Sequence, residues 1–291
     1  KPYIELSFKP IHVSYTLYST LTEKENDIIF HDRDSYDKVM NDFASHLINR
    51  YGMDEVESWY FELWKDDRLN MMDEKGWYFD CFEIGYHALK RISDRIKVGG
   101  AGFALGYDRY QYHQLIQNWK KQKVKPDFIS MYSYSYLLIQ QDSMYFGKRS
   151  LDNNFVKNQT DIFKQVLQEE EFMAEELHIT EWNYTISNRN CISDSCAHGA
   201  YVMITCIESI GNVDKMGYWH GSDLHTEYYD TEAVLYGDNG LLTRDGIKKP
   251  SFYAFHFMNF LQSQLLGKTE NAVLSTDGRG TYTIVCHNCK R

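Results

Sequence analysis

The stretch Leu177–Asn183 reads Leu-His-Ile-Thr-Glu-Trp-Asn, with a carboxylate, Glu181, near its polar C-terminal end. Its apolar, β-branched alternation predicts a strand. In barrels of alternating strands and helices, chemistry sits at the C-terminal ends of the strands. Glu181 is therefore a candidate nucleophile or proton carrier; the plainer reading is a charged residue leaving a strand for a loop. A second stretch, Glu57–Leu69, repeats the pattern: Glu-Ser-Trp-Tyr-Phe-Glu-Leu-Trp-Lys-Asp-Asp-Arg-Leu runs from an aromatic strand into charge. Retaining glycoside hydrolysis needs two carboxyl groups about 5–5.5 Å apart, one as nucleophile and one as general acid/base. Two strand-end carboxylates far apart in sequence can meet in that way across the mouth of a barrel.

On these residues the chain resembles glycoside hydrolase family 39, the β-xylosidase and α-iduronidase family. The family's fourth barrel strand ends Phe-Glu-Val-Trp-Asn-Glu-Pro-Asn-Leu, and the Glu of Asn-Glu-Pro is its acid/base. Its seventh ends Thr-Glu-Trp-Asn, and that Glu is its nucleophile. The matching segments here are Phe61-Glu62-Leu63-Trp64-Lys65-Asp66-Asp67-Arg68-Leu69 and Thr180-Glu181-Trp182-Asn183. Further matches follow in order: Pro2–Phe8, Val98-Gly99-Gly100, Asp127–Ser130, and Gly240–Pro250, which reads Gly-Leu-Leu-Thr-Arg-Asp-Gly-Ile-Lys-Lys-Pro.

The resemblance assigns Glu181 as the nucleophile, with His178, Thr180, Trp182 and Asn183 shaping its surroundings; Trp182 stands open between sugar contact and core packing. Asp66 falls at the acid/base position. It is one methylene shorter than Glu, roughly 1.5 Å of reach, and misplacement of that order costs about 10²-fold. Lys65 replaces the family Asn that contacts the sugar 2-hydroxyl, and its charge would hold Asp66 ionised, the wrong state for a proton donor. Asp67 replaces the family Pro and could itself be the closer carboxylate. The family pattern Ile-Ser-Thr-His-Ala-Tyr-Pro is Ile129-Ser130-Met131-Tyr132-Ser133-Tyr134-Ser135 here, with Tyr132 at the active-site His. Ala101 stands where Pro often follows Gly-Gly. Trp219 matches a sugar-platform Trp, with His220 and Asp223 at the same mouth and His12 in the first loop. A lone His is more often a hydrogen-bonded surface or core residue than a ligand.

The elements that must position these groups are predicted as follows. Strands are expected at Pro2–Phe8, Ser58–Trp64, Lys97–Gly102, Pro126–Tyr134, Leu177–Asn183 and Lys215–Asp223. Helices are expected at Asp34–Arg50, Gly76–Asp94, Tyr110–Lys121, Asn154–Glu170, His198–Ile210 and Lys249–Leu265, the last with Pro250 in its first turn. Ile11–Asp32 and Leu224–Asp238 read as loops, and Asn271–Cys286 alternates around Asp277-Gly278 as a β-hairpin. That is an α/β chain with six barrel strands. By the resemblance, it is a glycosidase-type (β/α)8 TIM barrel lacking its first two βα units, with Pro2–Phe8 in the place of the third strand. Residues 1–267 form the barrel domain and 268–291 a partial accessory β segment, the start of a β-sandwich. An open six-stranded barrel would leave bare edges, so the chain is expected to be a piece of a larger protein.

With 291 residues, one large core is feasible. A formal net charge of -10 argues against a nucleic-acid surface on this segment, where phosphate binding needs excess Lys and Arg. The 15% aromatic content, with 23 Tyr and 6 Trp, leaves material for sugar-stacking surfaces. Six cysteines scattered over this length are no disulfide framework. Cys286-His287-Asn288-Cys289 has CxxC spacing but no second pair, so no metal is expected, and glycosidase chemistry needs no cofactor. No apolar run suits a bilayer and no signal-peptide pattern opens the chain, which favours a cytoplasmic protein.

Two functions follow. The first is a carbohydrate-binding domain of impaired activity, sensing a xylose-type saccharide for an AraC-type transcriptional regulator whose DNA-binding domain lies elsewhere. Family-39-like barrels occur in such fusions, and the change to Lys65-Asp66 falls in the proton-donor half. The alternative is an active retaining β-xylosidase with Glu181 as nucleophile and Asp66 as acid/base.

Overall fold

The computed structural model describes residues 3–7, 33–64, 77–141, 144–225 and 231–288. The expectations for Ile11–Asp32 with His12, for Lys65, Asp66 and Asp67, and for Cys289 fall outside these residues. In chain order the elements are β1 (Tyr3–Ser7), α1 (Arg33–Tyr51), the short α2 (Met53–Val56), β2 (Tyr60–Trp64), α3 (Trp77–Lys90), β3 (Lys97–Phe103), α4 (Arg109–Lys121) and β4 (Phe128–Tyr134). They continue with β5 (Tyr136–Gln141), β6 (Met144–Arg149), α5 (Phe155–Glu169), β7 (Glu176–Asn183), α6 (Cys196–Ser209), β8 (Lys215–Tyr218), α7 (Pro250–Met258), β9 (Gln264–Lys268), β10 (Ala272–Thr276) and β11 (Tyr282–Cys286).

The six expected barrel strands form one sheet in the order β1-β2-β3-β4-β7-β8. Neighbours from β1 to β4 pair in parallel, in registers that set Leu6 beside Leu63, Phe61 beside Val98 and Gly99 beside Phe128. The described residues fall into two compact units, within Lys1–Met131 and Lys164–His178, and within Tyr132–Phe163 and Ile179–Arg291.

In the first unit, β2 and β3 are buried on both faces, as parallel strands covered by helices must be. Phe61, Leu63, Val98 and Ala101 are fully buried. Gly100 is glycine for a steric reason: a Cβ there would lie 2.3 Å from the Tyr78 hydroxyl and 2.6 Å from the Leu63 carbonyl. That space lets Tyr78 donate to the Leu63 carbonyl at 2.9 Å, fastening α3 to β2. Trp119 of α4 is fully buried and meets Tyr78, Phe79 and Phe82 edge-on, with centroids 5.9, 5.0 and 4.7 Å away. Helix α4 begins at Asp108, whose side chain accepts the Gln111 amide at 3.0 Å and satisfies an otherwise orphaned donor.

In the second unit, α6 starts on a Ser195 cap and α7 on Pro250 at its first turn. Two expected elements end early. The helix expected over Lys249–Leu265 stops at Met258, because the chain turns to join a three-stranded antiparallel sheet, β11-β10-β9. The Gln262 amide donates to Ser275 Oγ at 2.8 Å, and β9 pairs along β10. The expected hairpin is therefore two strands of three. The strand expected to reach Asp223 stops at Tyr218, because residues 220–223 bond to residues 239–242 instead. The β5–β6 hairpin follows β4 directly and was not expected.

Candidate active site

Three strand ends of the second unit carry the described part of the site. Strand β4 contributes Tyr132 and Tyr134, two apart and so on one face. Strand β7 contributes Glu181 and Asn183. Beyond β8 come Trp219 and His220, joined by a cis peptide.

Glu181 is partly exposed. Its Oε1 accepts a hydrogen bond from the Tyr134 hydroxyl. Burial pushes the Tyr134 phenol far above its ordinary range; the Glu181 charge and the hydrogen bond push the same way. Tyr134 therefore stays a neutral donor at any working pH. A neutral donor orients the Glu181 carboxyl group without itself bringing a charge to it. Tyr134 was not singled out from the sequence. The signal was there: it lies two residues after Tyr132 at a strand end, on the Tyr of the resembled pattern.

The open choice at Trp182 falls to core packing, and Asn183 is corrected as a sugar contact. Trp182 is 1% exposed, and its ring packs on Tyr201, Tyr218 and Phe255 of α6, β8 and α7 at 6.5, 5.3 and 6.2 Å. Its helix-side neighbours fill the space a sugar would need, so it is core. Asn183 is fully buried, and its amide is spent on backbone. Nδ2 donates to the Trp219 carbonyl and, at 3.4 Å, to the Asn239 carbonyl, while Oδ1 accepts the Tyr184 amide at 2.6 Å. Asn183 thus ties the end of β7 to the end of β8.

Trp219 remains partly exposed, with its amide on the Trp182 carbonyl at 3.0 Å and its ring edge-on to His220 at 5.5 Å. His220 is 8% exposed and turns its ring nitrogens to the protein: Nδ1 lies 2.9 Å from the Ser222 carbonyl and Nε2 3.6 Å from Asp238 Oδ1. It supports Trp219 rather than reaching outward. Tyr132 is largely buried, and its carbonyl accepts from Gln159 at 3.1 Å. Asp223 is not at a mouth: it is fully buried and paired with Lys249. His178, in the first unit, is fully buried, stacked on Phe128 at 4.3 Å, with Nε2 2.9 Å from Glu176. Among the described residues no three His, Cys, Asp or Glu are grouped to hold a metal ion, and no helix is long and apolar enough to cross a membrane.

The β5–β6 hairpin is anchored beside this site. The Tyr136 hydroxyl lies 2.9 Å from Thr185 Oγ1, and the Arg149 guanidinium lies over the Tyr184 ring at 4.2 Å. Both anchors fall just after Glu181 on the chain.

A parallel sheet with helical crossovers and a hydrogen-bonded glutamate at a strand's C-terminal end is an arrangement that glycosidase-type barrels share. The family model of glycosyl hydrolases family 39 matches residues 1–282, and the chain belongs to that family. It is 27% identical to a β-xylosidase from Geobacillus stearothermophilus over 99% of this chain and 58% of the relative. It is likewise 27% identical to a β-xylosidase from Caldicellulosiruptor saccharolyticus, over 91% of this chain and 54% of the relative. A monomeric β-xylosidase from Caulobacter crescentus CB15 superposes with a TM-score of 0.71 at 25% identity, over 85% of this chain and 51% of that one. The chain thus spans just over half the length of the curated relatives it matches.

Proposed function

We propose that the Glu181 face binds a saccharide of the β-xyloside class and is the nucleophile half of a retaining β-glycosidase site. The observation that carries this reading is the hydrogen bond from a permanently neutral Tyr134 to Glu181. In the first step the Glu181 carboxylate attacks the anomeric carbon, and the bond to the leaving oxygen breaks as that oxygen takes a proton from the acid, Asp66 in this reading. Water then attacks the glycosyl ester, giving up its proton to the same carboxyl group and releasing the sugar and free Glu181. Trp219 supplies a stacking surface and Tyr132 a neighbouring polar ring. The strands β9–β11 are read as the start of an accessory β segment.

A second reading rests on one sequence feature, the Lys65-Asp66 pair in place of Asn-Glu. It weakens the proton donor and favours a sugar sensor of low turnover, serving an AraC-type regulator in the cytoplasm. Hydrolysis of p-nitrophenyl β-xyloside by the purified protein, with Glu181→Gln beside it, separates the two. Turnover that vanishes in the variant supports the enzyme. No turnover, with xylose or xylobiose still raising the melting temperature, supports the sensor. Neither turnover nor a thermal shift sinks both for these sugars.

A further inference from the structure

Lys249 is fully buried, an expensive place for an ammonium group. Its Nζ pairs with Asp194 Oδ1 at 2.7 Å and Asp223 Oδ2 at 2.7 Å, and donates to Asp223 Oδ1 and the Asp238 carbonyl, both at 2.9 Å. Those partners come from three segments of two loops: Asp194 from the loop between β7 and α6, and Asp223 and Asp238 from an early and a later segment of the loop between β8 and α7. The carboxylates reach onward. Asp194 Oδ2 accepts the Gly237 amide at 2.7 Å and Asp223 Oδ1 the Gly240 amide at 2.9 Å. The short segment from Gly237 to Gly240 is therefore held at both ends by groups that Lys249 holds.

That segment bears on the site. The Asn239 carbonyl accepts from the His220 amide at 3.4 Å, the Asn183 amide group at 3.4 Å and the Tyr218 hydroxyl at 3.2 Å. Asp238 Oδ1 lies 3.6 Å from His220 Nε2, and the Leu241 amide donates to the His220 carbonyl at 3.1 Å. There is no slack: a Cβ on Gly240 would lie 2.4 Å from Asp223, and one on Gly237, at φ +86, 2.6 Å from the Asn190 backbone.

We propose that Lys249 is a positioning residue that gathers these three segments so that Trp219 and His220 are set at the rim of the Glu181 site. Apolar packing supplies stability at lower desolvation cost than a buried ion cluster. What the cluster adds is one fixed geometry, transmitted to the Trp219–His220 segment through Asn239. The link to ligand binding rests on the reading of Trp219 as a sugar surface; the link to Trp219 itself does not.

The test is iodide quenching of Trp219 fluorescence in Lys249→Met and in the milder Asp194→Asn. The Trp219 signal is isolated by subtracting matched Trp219→Phe proteins. The expected result is a several-fold rise in Trp219 quenching with far-UV circular dichroism unchanged, reversed in part by Lys249→Arg. For p-nitrophenyl β-xyloside, KM or Kd should rise several-fold with kcat largely kept. Unchanged Trp219 quenching in either folded variant overturns the proposal. So does failure of both variants to fold, which would make the cluster a folding requirement only. Raised quenching with ligand affinity intact keeps the positioning role and removes Trp219 from the ligand surface.

Discussion

Glu181 and Asp223 are carboxylates in the same unit, and the protein treats them in opposite ways. Asp223 has no exposure and an ammonium ion against it, with Asp194 sharing that ammonium. Burial raises its pKa, and the hydrogen bond and charge of Lys249 oppose the rise. Its charge is spent on geometry. Glu181 keeps partial exposure and is met by the neutral phenol of Tyr134. The phenol directs one of the Glu181 oxygens without bringing a charge of its own. The difference teaches that a carboxylate locked into a buried cluster with a cation serves geometry, while one left partly exposed at a strand end keeps access for a ligand.

The largest effect expected from breaking this contrast is at Glu181. Glu181→Gln should cut xyloside turnover by about 10⁴-fold or more, as removal of a covalent nucleophile does, with the melting temperature little changed. At the other pole, Lys249→Met should leave the buried Asp223 and the largely covered Asp194 without their cation. The expected loss is about 3–5 kcal/mol of stability, read by urea denaturation, and Glu181→Gln should show no comparable loss.

His198 sharpens the contrast through pH. It is fully buried, with Nδ1 3.0 Å from the Ser193 carbonyl and Nε2 3.4 Å from the Tyr218 hydroxyl. Burial drives its pKa down to about 4; Lys249 and Arg149 push the same way, while Asp194 and the Ser193 carbonyl oppose. An unfolded histidine titrates near 6.5. Below that value the unfolded chain takes up a proton that the folded chain refuses. His198's share of stability is thus complete above about pH 6.5 and is lost as pH falls toward 4, roughly 3 kcal/mol in all. Urea midpoints from pH 7 down to pH 4 should fall accordingly, and His198→Gln should flatten the slope in that window.

Tyr134→Phe removes a hydrogen bond to a charged group, worth about 1.5–3 kcal/mol. Turnover should drop about ten- to hundred-fold, without a new alkaline limb in the pH profile, because Tyr134 does not ionise in the working range. The smallest effect is expected at the hairpin anchor. Arg149→Gln should cost about 0.5–2 kcal/mol through the lost contact with Tyr184, visible as a modest fall in melting temperature.

Much of this was legible in the sequence, for identifiable reasons. The six strands were readable because parallel strands under helices are continuous apolar runs bounded by turns. Glu181 was readable because its polar neighbours bunch at one end of such a run. The β5–β6 hairpin was not: Tyr136–Ile139 continues the apolar run of β4 with no Gly or Pro to mark the break. Asn183 was misplaced, and Trp182 stayed open, because motif position does not tell which face of the strand end a side chain takes. The Lys249 cluster was hidden for a different reason. Its members are 26 to 55 positions apart along the chain, and only the folded loops bring them together.

On the function proposed above, Glu181 is the nucleophile. The most direct measurement is mass spectrometry of the protein after incubation with 2,4-dinitrophenyl 2-deoxy-2-fluoro-β-xyloside. The dinitrophenolate leaves without a proton, so the outcome does not depend on Asp66, and the fluorine slows release of the glycosyl ester. One added fluoroxylosyl group is expected, mapped to the peptide bearing Glu181 and absent in Glu181→Gln. An unlabelled protein that still binds xylose, or a label on another carboxylate, would contradict it.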